Sequence, residues 1–225
     1  FALALAPGAN SPTPARIESD RETLFVSGGG MCIRRTSFES VGGFDSDYFM
    51  YHEDVDLGWR LWLLGYRCVL SAESSVFHRG GGSLGNLTPE FIQSLSDAHV
   101  LATAFKNLSA ANLDTIFPVL FIYLLLRRGP GEGNRLFGLG VESFLSSLDS
   151  LVAKREEVQR RRVRSDEEIF EKTGNPFAFL LNSETCDALR QELNSDTGFD
   201  PLSTHSVRTA VERWTWRGQA LQTIK

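Results

Sequence analysis

Three carboxylates and one imidazole lie within five consecutive residues of the segment Tyr-His-Glu-Asp-Val-Asp-Leu at positions 51–57. The acids are Glu53, Asp54 and Asp56, and the imidazole belongs to His52. A carboxylate in such a cluster can remove a proton from a hydroxyl group or bind a divalent metal. The same acids can instead do no more than stabilise the start of a helix, where exposed N–H groups and the helix dipole favour negative charge. The cluster alone therefore admits a catalytic and a purely structural interpretation.

Three neighbouring features favour the catalytic interpretation. The acids lie where an aromatic run meets a predicted helix, and such irregular junctions often carry active-site groups. Gly58 follows Asp54 by one helical turn, and we expect its missing side chain to let another molecule approach the acid. His78 ends a predicted strand and opens a glycine-rich loop at 79–88, where a ligand-binding imidazole is well placed.

Hydrophobic periodicity and glycine positions predict the elements that hold these residues. Leu57, Leu61 and Leu64 recur at helical spacing, and Gly65 follows where helices commonly end. The predicted elements are strands at 24–27, 31–33, 67–70 and 75–78, one helical turn at 37–41, and a helix at 53–64.

Beyond residue 86 the chain is predicted to be almost wholly helical. The predicted helices cover 89–108, 112–127, 134–163, 166–173, 184–194 and 206–223, with Gly138 and Gly140 as candidate breaks in the third. The fold class is therefore α/β, with an α/β domain at 1–86 followed by a mainly α-helical region at 87–225.

Composition excludes several classes of protein. The net charge of −5 argues against a nucleic-acid partner, since such proteins are usually basic. Cys32, Cys68 and Cys186 are scattered and form no Cys-x-x-Cys pair. They indicate a reducing, cytoplasmic location and neither a disulfide framework nor a zinc site.

Two segments bear on membrane contact. The apolar run at 116–126 is shorter than the ~20 residues that span a bilayer, and it fits a buried helix, a helix on a membrane surface or, least well, a span. The basic run at 154–164 fits a solvated helix face or contact with anionic lipid or a lipid diphosphate. Together they favour a peripheral position at the cytoplasmic face of a membrane.

The order and spacing of several short motifs in residues 27–81 resemble the C-terminal half of the catalytic domain of family 2 glycosyltransferases. The motifs are the glycine turn before Arg34-Arg35, Gly42-Gly43-Phe44-Asp45, Glu53-Asp54-x-Asp56-Leu57 with Arg60, Gly65-Tyr66, and His78. These enzymes have the GT-A (Rossmann-like) fold. The resemblance is to the branch that contains bacterial rhamnosyl- and galactofuranosyl-transferases, which build cell-envelope polysaccharides.

The resemblance implies a reaction and a role for each matching residue. A sugar would pass, with inversion, from a nucleotide-sugar donor to a glycan or lipid-linked acceptor, with Asp54 as the general base. Glu53 and Asp56 would hold acceptor hydroxyls, and Arg60 would orient a carboxylate or bind substrate. His78 would ligate a divalent metal, Mg²⁺ or Mn²⁺. Among the glycines, Gly28, Gly29 and Gly30 would let the backbone approach bound sugar.

The donor half that the family requires, with its Asp-x-Asp metal motif, is not recognised in this sequence. Asp45-Ser46-Asp47 has those letters but lies after the position of that motif, and we interpret it as a loop. We therefore expect a C-terminal fragment that is inactive by itself.

Two other hypotheses stay open at this point. One is a non-catalytic fragment that binds glycans, membranes or a partner chain. The other is a metal-dependent hydrolase built on His52, Glu53, Asp54, Asp56 and His78.

Overall fold

The computed structural model describes residues 18–74, 76, 87–181 and 203–223. The predicted helix at 184–194, along with His78 and Cys186, lies outside the described residues. In chain order the elements are β1 (Arg21–Thr23), α1 (Arg35–Ser40), α2 (Glu53–Leu63), β2 (Cys68–Leu70), α3 (Pro89–Asn107), α4 (Ala110–Arg128), α5 (Glu132–Ser146), α6 (Leu148–Arg161), α7 (Asp166–Thr173), α8 (Ala178–Leu181) and α9 (Thr204–Thr223).

The chain forms two compact units. The first comprises residues 1–87 together with 161–176, and the second comprises 88–160 together with 177–225. The division after residue 87 lies close to the boundary expected from the sequence. Residues 161–176 differ from that expectation, because they belong to the first unit although the sequence assigned them to the helical region.

Most of the predicted helices are present. The helix at 166–173 has the predicted bounds, whereas the long helix predicted at 134–163 is two helices that meet at Ser147. Neither Gly138 nor Gly140 breaks α5, so that part of the prediction is wrong. A side chain at Gly140 would come within 2.8 Å of the Ser94 carbonyl oxygen, so this glycine serves close packing of α5 on α3.

The strand predictions were less successful. β2 lies within the predicted strand at 67–70, but its antiparallel partner is β1, which ends just before the predicted strand at 24–27. The predicted strand at 31–33 forms no ladder within the part of the chain that the structure describes. A strand requires a partner, and the apolar segment after Thr23 packs on a helix instead.

That helix is α2, and Gly58 is the point of closest approach. A Cβ atom at Gly58 would lie 2.6 Å from the Phe25 Cβ atom and 2.7 Å from the Leu24 carbonyl oxygen. The space above Gly58 is thus filled by the chain's own backbone, and the expectation that another molecule approaches there is wrong. Every residue of α2 from Val55 to Leu63 is buried, so this helix forms the core of the first unit.

Residues 161–176 contact the C-terminal end of α2. Val163 donates a backbone hydrogen bond to the Leu63 carbonyl at 2.9 Å. The Arg164 guanidinium donates to the Gly65 carbonyl at 2.7 Å and lies 5.1 Å from the centre of the Trp62 ring. A cation at the C-terminal end of a helix is also favoured by the helix dipole.

The basic run is therefore not a uniformly solvated helix face. Arg155 donates to the Leu108 carbonyl at 2.7 Å, and Arg161 donates to the Ser40 carbonyl at 2.6 Å. Arg162 pairs with Asp166 at 2.8 Å. These guanidinium groups stabilise the fold within each unit, and membrane contact by this run stays a prediction.

The second unit is a helical bundle with an aromatic core. Its buried phenylalanine and tryptophan rings belong to Phe105, Phe117, Phe121, Phe137, Phe144, Phe177 and Trp214. Within the described ranges, α4 is long and apolar enough to cross a membrane by length and composition, and 56% of its apolar window is buried inside the protein. As a pair, α5 and α6 pass the same test but are bent by 64°.

Replacing Gly58 with alanine tests the close contact in the first unit. We expect Gly58→Ala to lower the free energy of unfolding by about 2 kcal/mol or more, because the new methyl group meets backbone atoms that cannot move alone. Gly138→Ala is the matched control, since nothing lies within 4 Å of its Cβ position. Urea unfolding would measure both, and equal effects would contradict the packing described.

Candidate active site

The acid cluster begins at a strained turn. Tyr51 and His52 have φ angles of 64° and 67°, in the left-handed region that non-glycine residues seldom adopt. Each such residue costs about 1–3 kcal/mol and persists only where the surrounding structure holds it. The turn brings the aromatic run to an end and starts α2 at Glu53.

Asp54 has a carboxylate that is held by two backbone donors. Its Oδ2 atom accepts the Gly28 N–H at 2.9 Å, and its Oδ1 atom accepts the Val55 N–H at 2.8 Å. A Cβ atom at Gly28 would meet only Asp54, at 3.9 Å. The structure thus brings together Gly28 and Asp54, which the sequence separately assigned to the site. The two backbone donors set the orientation of the Asp54 carboxylate.

The other two glycines of the turn differ in their surroundings. Gly29 is exposed, and Gly30 donates to the Ser27 carbonyl at 3.0 Å. A Cβ atom at Gly30 would lie 2.7 Å from Val76 Cγ2. Gly30 therefore serves local packing, and contact of either residue with a substrate stays a prediction.

Glu53 lies at the first position of α2 and is half-buried. Burial raises the pKa of the Glu53 carboxyl, a backbone hydrogen bond lowers it, and the adjacent charge of Asp54 raises it. Its buried Oε2 atom accepts no hydrogen bond from the described part of the chain. This oxygen is enclosed by the protein, so the surroundings of Glu53 favour its neutral form.

Asp56 and Arg60 form a buried ion pair and are not exposed to a substrate as expected. The Asp56 side chain has no exposed surface, and its Oδ2 atom accepts from Arg60 Nε at 2.7 Å. The same guanidinium donates to the carbonyls of Val41 at 2.6 Å and Gly43 at 2.8 Å. The pair is buried, so the Asp56 carboxylate is not exposed to hold an acceptor hydroxyl, as the resemblance implied. Both residues position the structure around the site, and Arg60 orients the Asp56 carboxylate.

A metal site is not assembled by the residues described. Within 18–74, 76, 87–181 and 203–223, no group of three His, Cys, Asp or Glu side chains is arranged to hold a metal ion. The predicted ligand, His78, lies outside these ranges. Asp45-Ser46-Asp47 is a turn in which Asp47 N–H donates to Asp45 Oδ1 at 3.1 Å, so its interpretation as a loop is confirmed.

Sequence reasoning missed a groove beside the glycine turn. The groove has a volume of about 390 Å³ and is lined by Gly28, Met31, Ile33, Arg35, Phe38 and Phe44. Phe44 was noted only as a letter of the Gly-Gly-Phe-Asp motif. Two glycines directly before an aromatic residue were the available signal, since glycine marks turns that need a positive φ, and both Gly42 and Gly43 have one.

The sequence profile of glycosyl transferase family group 2 matches residues 17–127, which include both the glycine turn and the acid cluster. This match confirms the resemblance to family 2 glycosyltransferases seen in the sequence. The match implies the GT-A fold for this segment.

The chain is similar to several enzymes and proteins that take part in the synthesis of bacterial cell-envelope polysaccharides. An N-acetylglucosaminyl-diphospho-decaprenol L-rhamnosyltransferase of Mycobacterium tuberculosis is 45% identical over 67 residues, which is 30% of this chain and 22% of the relative. The rhamnosyltransferase WbbL of Escherichia coli K12 is 47% identical over 51 residues, which is 23% of this chain and 19% of the relative. The O-antigen biosynthesis protein RfbC of Myxococcus xanthus is 38% identical over 66 residues, which is 29% of this chain and 5% of that protein.

The region in common thus spans about a fifth or less of each relative's length. No solved structure matches the chain.

Removing one partner of the buried ion pair tests its positioning role. We expect Arg60→Met to lower the free energy of unfolding by about 3–5 kcal/mol, because Asp56 would stay buried without its countercharge. The double variant Arg60→Met/Asp56→Leu should recover a large part of that loss. Arg135→Met is the matched control, since its pair with Glu132 is exposed. Chemical unfolding of the four proteins would measure this, and equal losses for Arg60→Met and Arg135→Met would contradict the assignment.

The raised pKa of Glu53 predicts a pH-dependent effect on stability. A carboxyl whose pKa is higher in the folded state than its ordinary 4.5 stabilises the fold most below that value. This stability is lost as the pH rises through the folded-state pKa. Glu53→Gln should therefore be more stable than the native protein at neutral pH, and the difference should vanish below pH 4.5.

Thermal unfolding across this pH range would measure the difference. Glu171→Gln, at an exposed position of α7, controls for loss of a charge in the same unit. A Glu53→Gln protein that is less stable than the native one at neutral pH would show that the carboxylate is stabilising there.

Proposed function

We propose that this chain carries the acceptor side of an inverting glycosyltransferase, with Asp54 as its general base. The transferred sugar would come from a nucleotide-sugar donor and pass to a glycan or lipid-linked acceptor. The observation that carries the proposal is the Asp54 carboxylate, fixed by the N–H groups of Gly28 and Val55 at a strained helix start inside the matched segment.

The proposed step is a single displacement. Asp54 takes the proton of the acceptor hydroxyl while that oxygen attacks the anomeric carbon of the donor. The bond from that carbon to the nucleoside diphosphate breaks, and the diphosphate leaves with the bonding electrons. Because attack and departure occur on opposite faces, the anomeric configuration inverts.

The local geometry suits Asp54 to this task. Each of its carboxylate oxygens accepts one backbone hydrogen bond and keeps further acceptor capacity for the hydroxyl. Both donors are backbone groups, so the carboxylate is oriented before the substrate arrives, which lowers the entropy lost on reaching the reactive geometry. Glu53, the residue before Asp54, would hold a neighbouring hydroxyl of the acceptor.

The resemblance to the family suggests the identity of the metal, and the name of a relative suggests the kind of acceptor. A divalent cation, Mg²⁺ or Mn²⁺, would neutralise charge on the leaving diphosphate, and His78 would be its ligand. The name of the mycobacterial relative contains a sugar linked through a diphosphate to a lipid. We propose an acceptor of that kind for this protein. An acceptor in a membrane fits a peripheral position of this protein at the cytoplasmic face.

Substitution of Asp54 tests the assignment of the base. In the full-length protein with metal, we expect Asp54→Asn to reduce transfer by about 10²-fold or more, because an amide cannot accept the proton. Binding of the nucleotide sugar should be unchanged. Asp149→Asn, another aspartate in the first turn of a helix, is the matched control and should keep full transfer.

Product formation from a radiolabelled nucleotide sugar would measure transfer, and calorimetry would measure donor binding. Near-normal transfer by Asp54→Asn would show that another group is the base. No transfer by the native protein with any donor would favour a non-catalytic binding role.

A further inference from the structure

We propose that the groove beside Gly28 is the acceptor subsite, in which the ring of Phe44 packs against the acceptor sugar and Arg35 binds its diphosphate. This inference rests on the proposed function and names the residues that would recognise the acceptor. Neither Phe44 nor Arg35 was among the expected site residues.

The groove is directly joined to the proposed base. Gly28 forms part of its lining, and the N–H of the same residue donates to Asp54 Oδ2 at 2.9 Å. Asp54 does not itself line the groove, and Gly28 is the residue that separates a sugar in the groove from the Asp54 carboxylate. The volume of about 390 Å³ is within the usual range for small-molecule sites, which are mostly apolar with a few polar groups.

Phe44 presents an aromatic surface at this groove. The side chain is 47% exposed, although exposure of a large apolar ring is unfavourable without a partner. Its ring meets the Phe38 ring edge-on, with the centroids 5.5 Å apart, which fixes its orientation. The C–H groups on one face of a sugar ring form an apolar surface of the kind that packs on an aromatic ring.

The position of Phe44 is set by the buried ion pair. Arg60 donates to the carbonyl of Gly43, the residue before Phe44, at 2.8 Å. Gly43 has a φ of +68°, and a side chain there would come within 3.1 Å of the Phe38 ring. The backbone before Phe44 is thus held by α2, the same helix that carries Asp54.

Arg35 supplies charge of the sign that a diphosphate requires. Its side chain is 89% exposed and pairs with Glu39 at 2.7 Å. An exposed pair of this kind contributes little free energy, so a diphosphate can replace the Glu39 carboxylate. A guanidinium can also bind phosphate oxygens through two parallel hydrogen bonds.

The nucleoside of the donor is the competing occupant, since a base also stacks on an aromatic ring. The experiment therefore measures the KM values for donor and acceptor separately in the full-length protein. The acceptor probe is N-acetylglucosaminyl diphosphate carrying a short isoprenoid chain. Phe44→Ala is compared with Phe44→Tyr, and with Phe91→Ala as a control at a ring that is 44% exposed in α3.

We expect Phe44→Ala to raise the acceptor KM about tenfold, which corresponds to the loss of one aromatic contact. Phe44→Tyr and Phe91→Ala should change it less than about twofold, and the donor KM should be unchanged in all three. Arg35→Gln should raise the acceptor KM for the diphosphate probe but not for the same sugar without a diphosphate. An unchanged acceptor KM in Phe44→Ala, or a raised donor KM, would overturn the proposal.

Calorimetric binding of the acceptor probe without donor separates this proposal from the proposed function. Loss of binding in Phe44→Ala but not in Asp54→Asn would support the groove even if the native protein transferred no sugar. Active transfer with normal probe binding by Phe44→Ala would overturn the groove and leave the proposed function standing. Circular dichroism of each variant would confirm that it is folded.

Discussion

The buried ion pair between Asp56 and Arg60 is the interaction on which the arrangement of the first unit depends. It removes two charges from water, which is favourable only because the guanidinium also donates to the carbonyls of Val41 and Gly43. These bonds hold the loop before α2 against the helix itself. The loop presents Phe44, and the helix presents Asp54, so one buried pair sets both sides of the candidate site.

The three acids in these four residues lie in three different environments. Asp56 is neutralised by Arg60, Asp54 accepts two backbone N–H groups, and burial raises the pKa of Glu53. The strained turn at Tyr51 and His52 directly precedes α2, and the first turn of that helix carries all three carboxylates. The cluster thus combines one buried structural acid, Asp56, with one acid, Asp54, whose carboxylate lies beside the glycine turn.

The sequence predicted the helices well because their apolar spacing is a local property. It could not predict that Gly58 faces the backbone at Leu24. A glycine that makes room for a ligand cannot be told from sequence apart from one that makes room for another segment of the same chain. The hydrogen bond between Gly28 and Asp54 joins residues 26 positions apart. Only the resemblance to the family assigned both residues to one site, and it did not predict the bond. Arg164 was read as part of a charged face because its carbonyl partners at the end of α2 are distant in sequence.

The most direct measurement is an experimental structure of the full-length protein with the sugar-diphosphate acceptor bound. The account predicts an acceptor hydroxyl within about 2.6–3.2 Å of an Asp54 carboxylate oxygen. Such a structure would also show whether Asp54 keeps its bond to the Gly28 N–H when the acceptor is in place. An acceptor whose hydroxyls all lie far from Asp54, or Asp54 turned away from the bound sugar, would contradict the central claim.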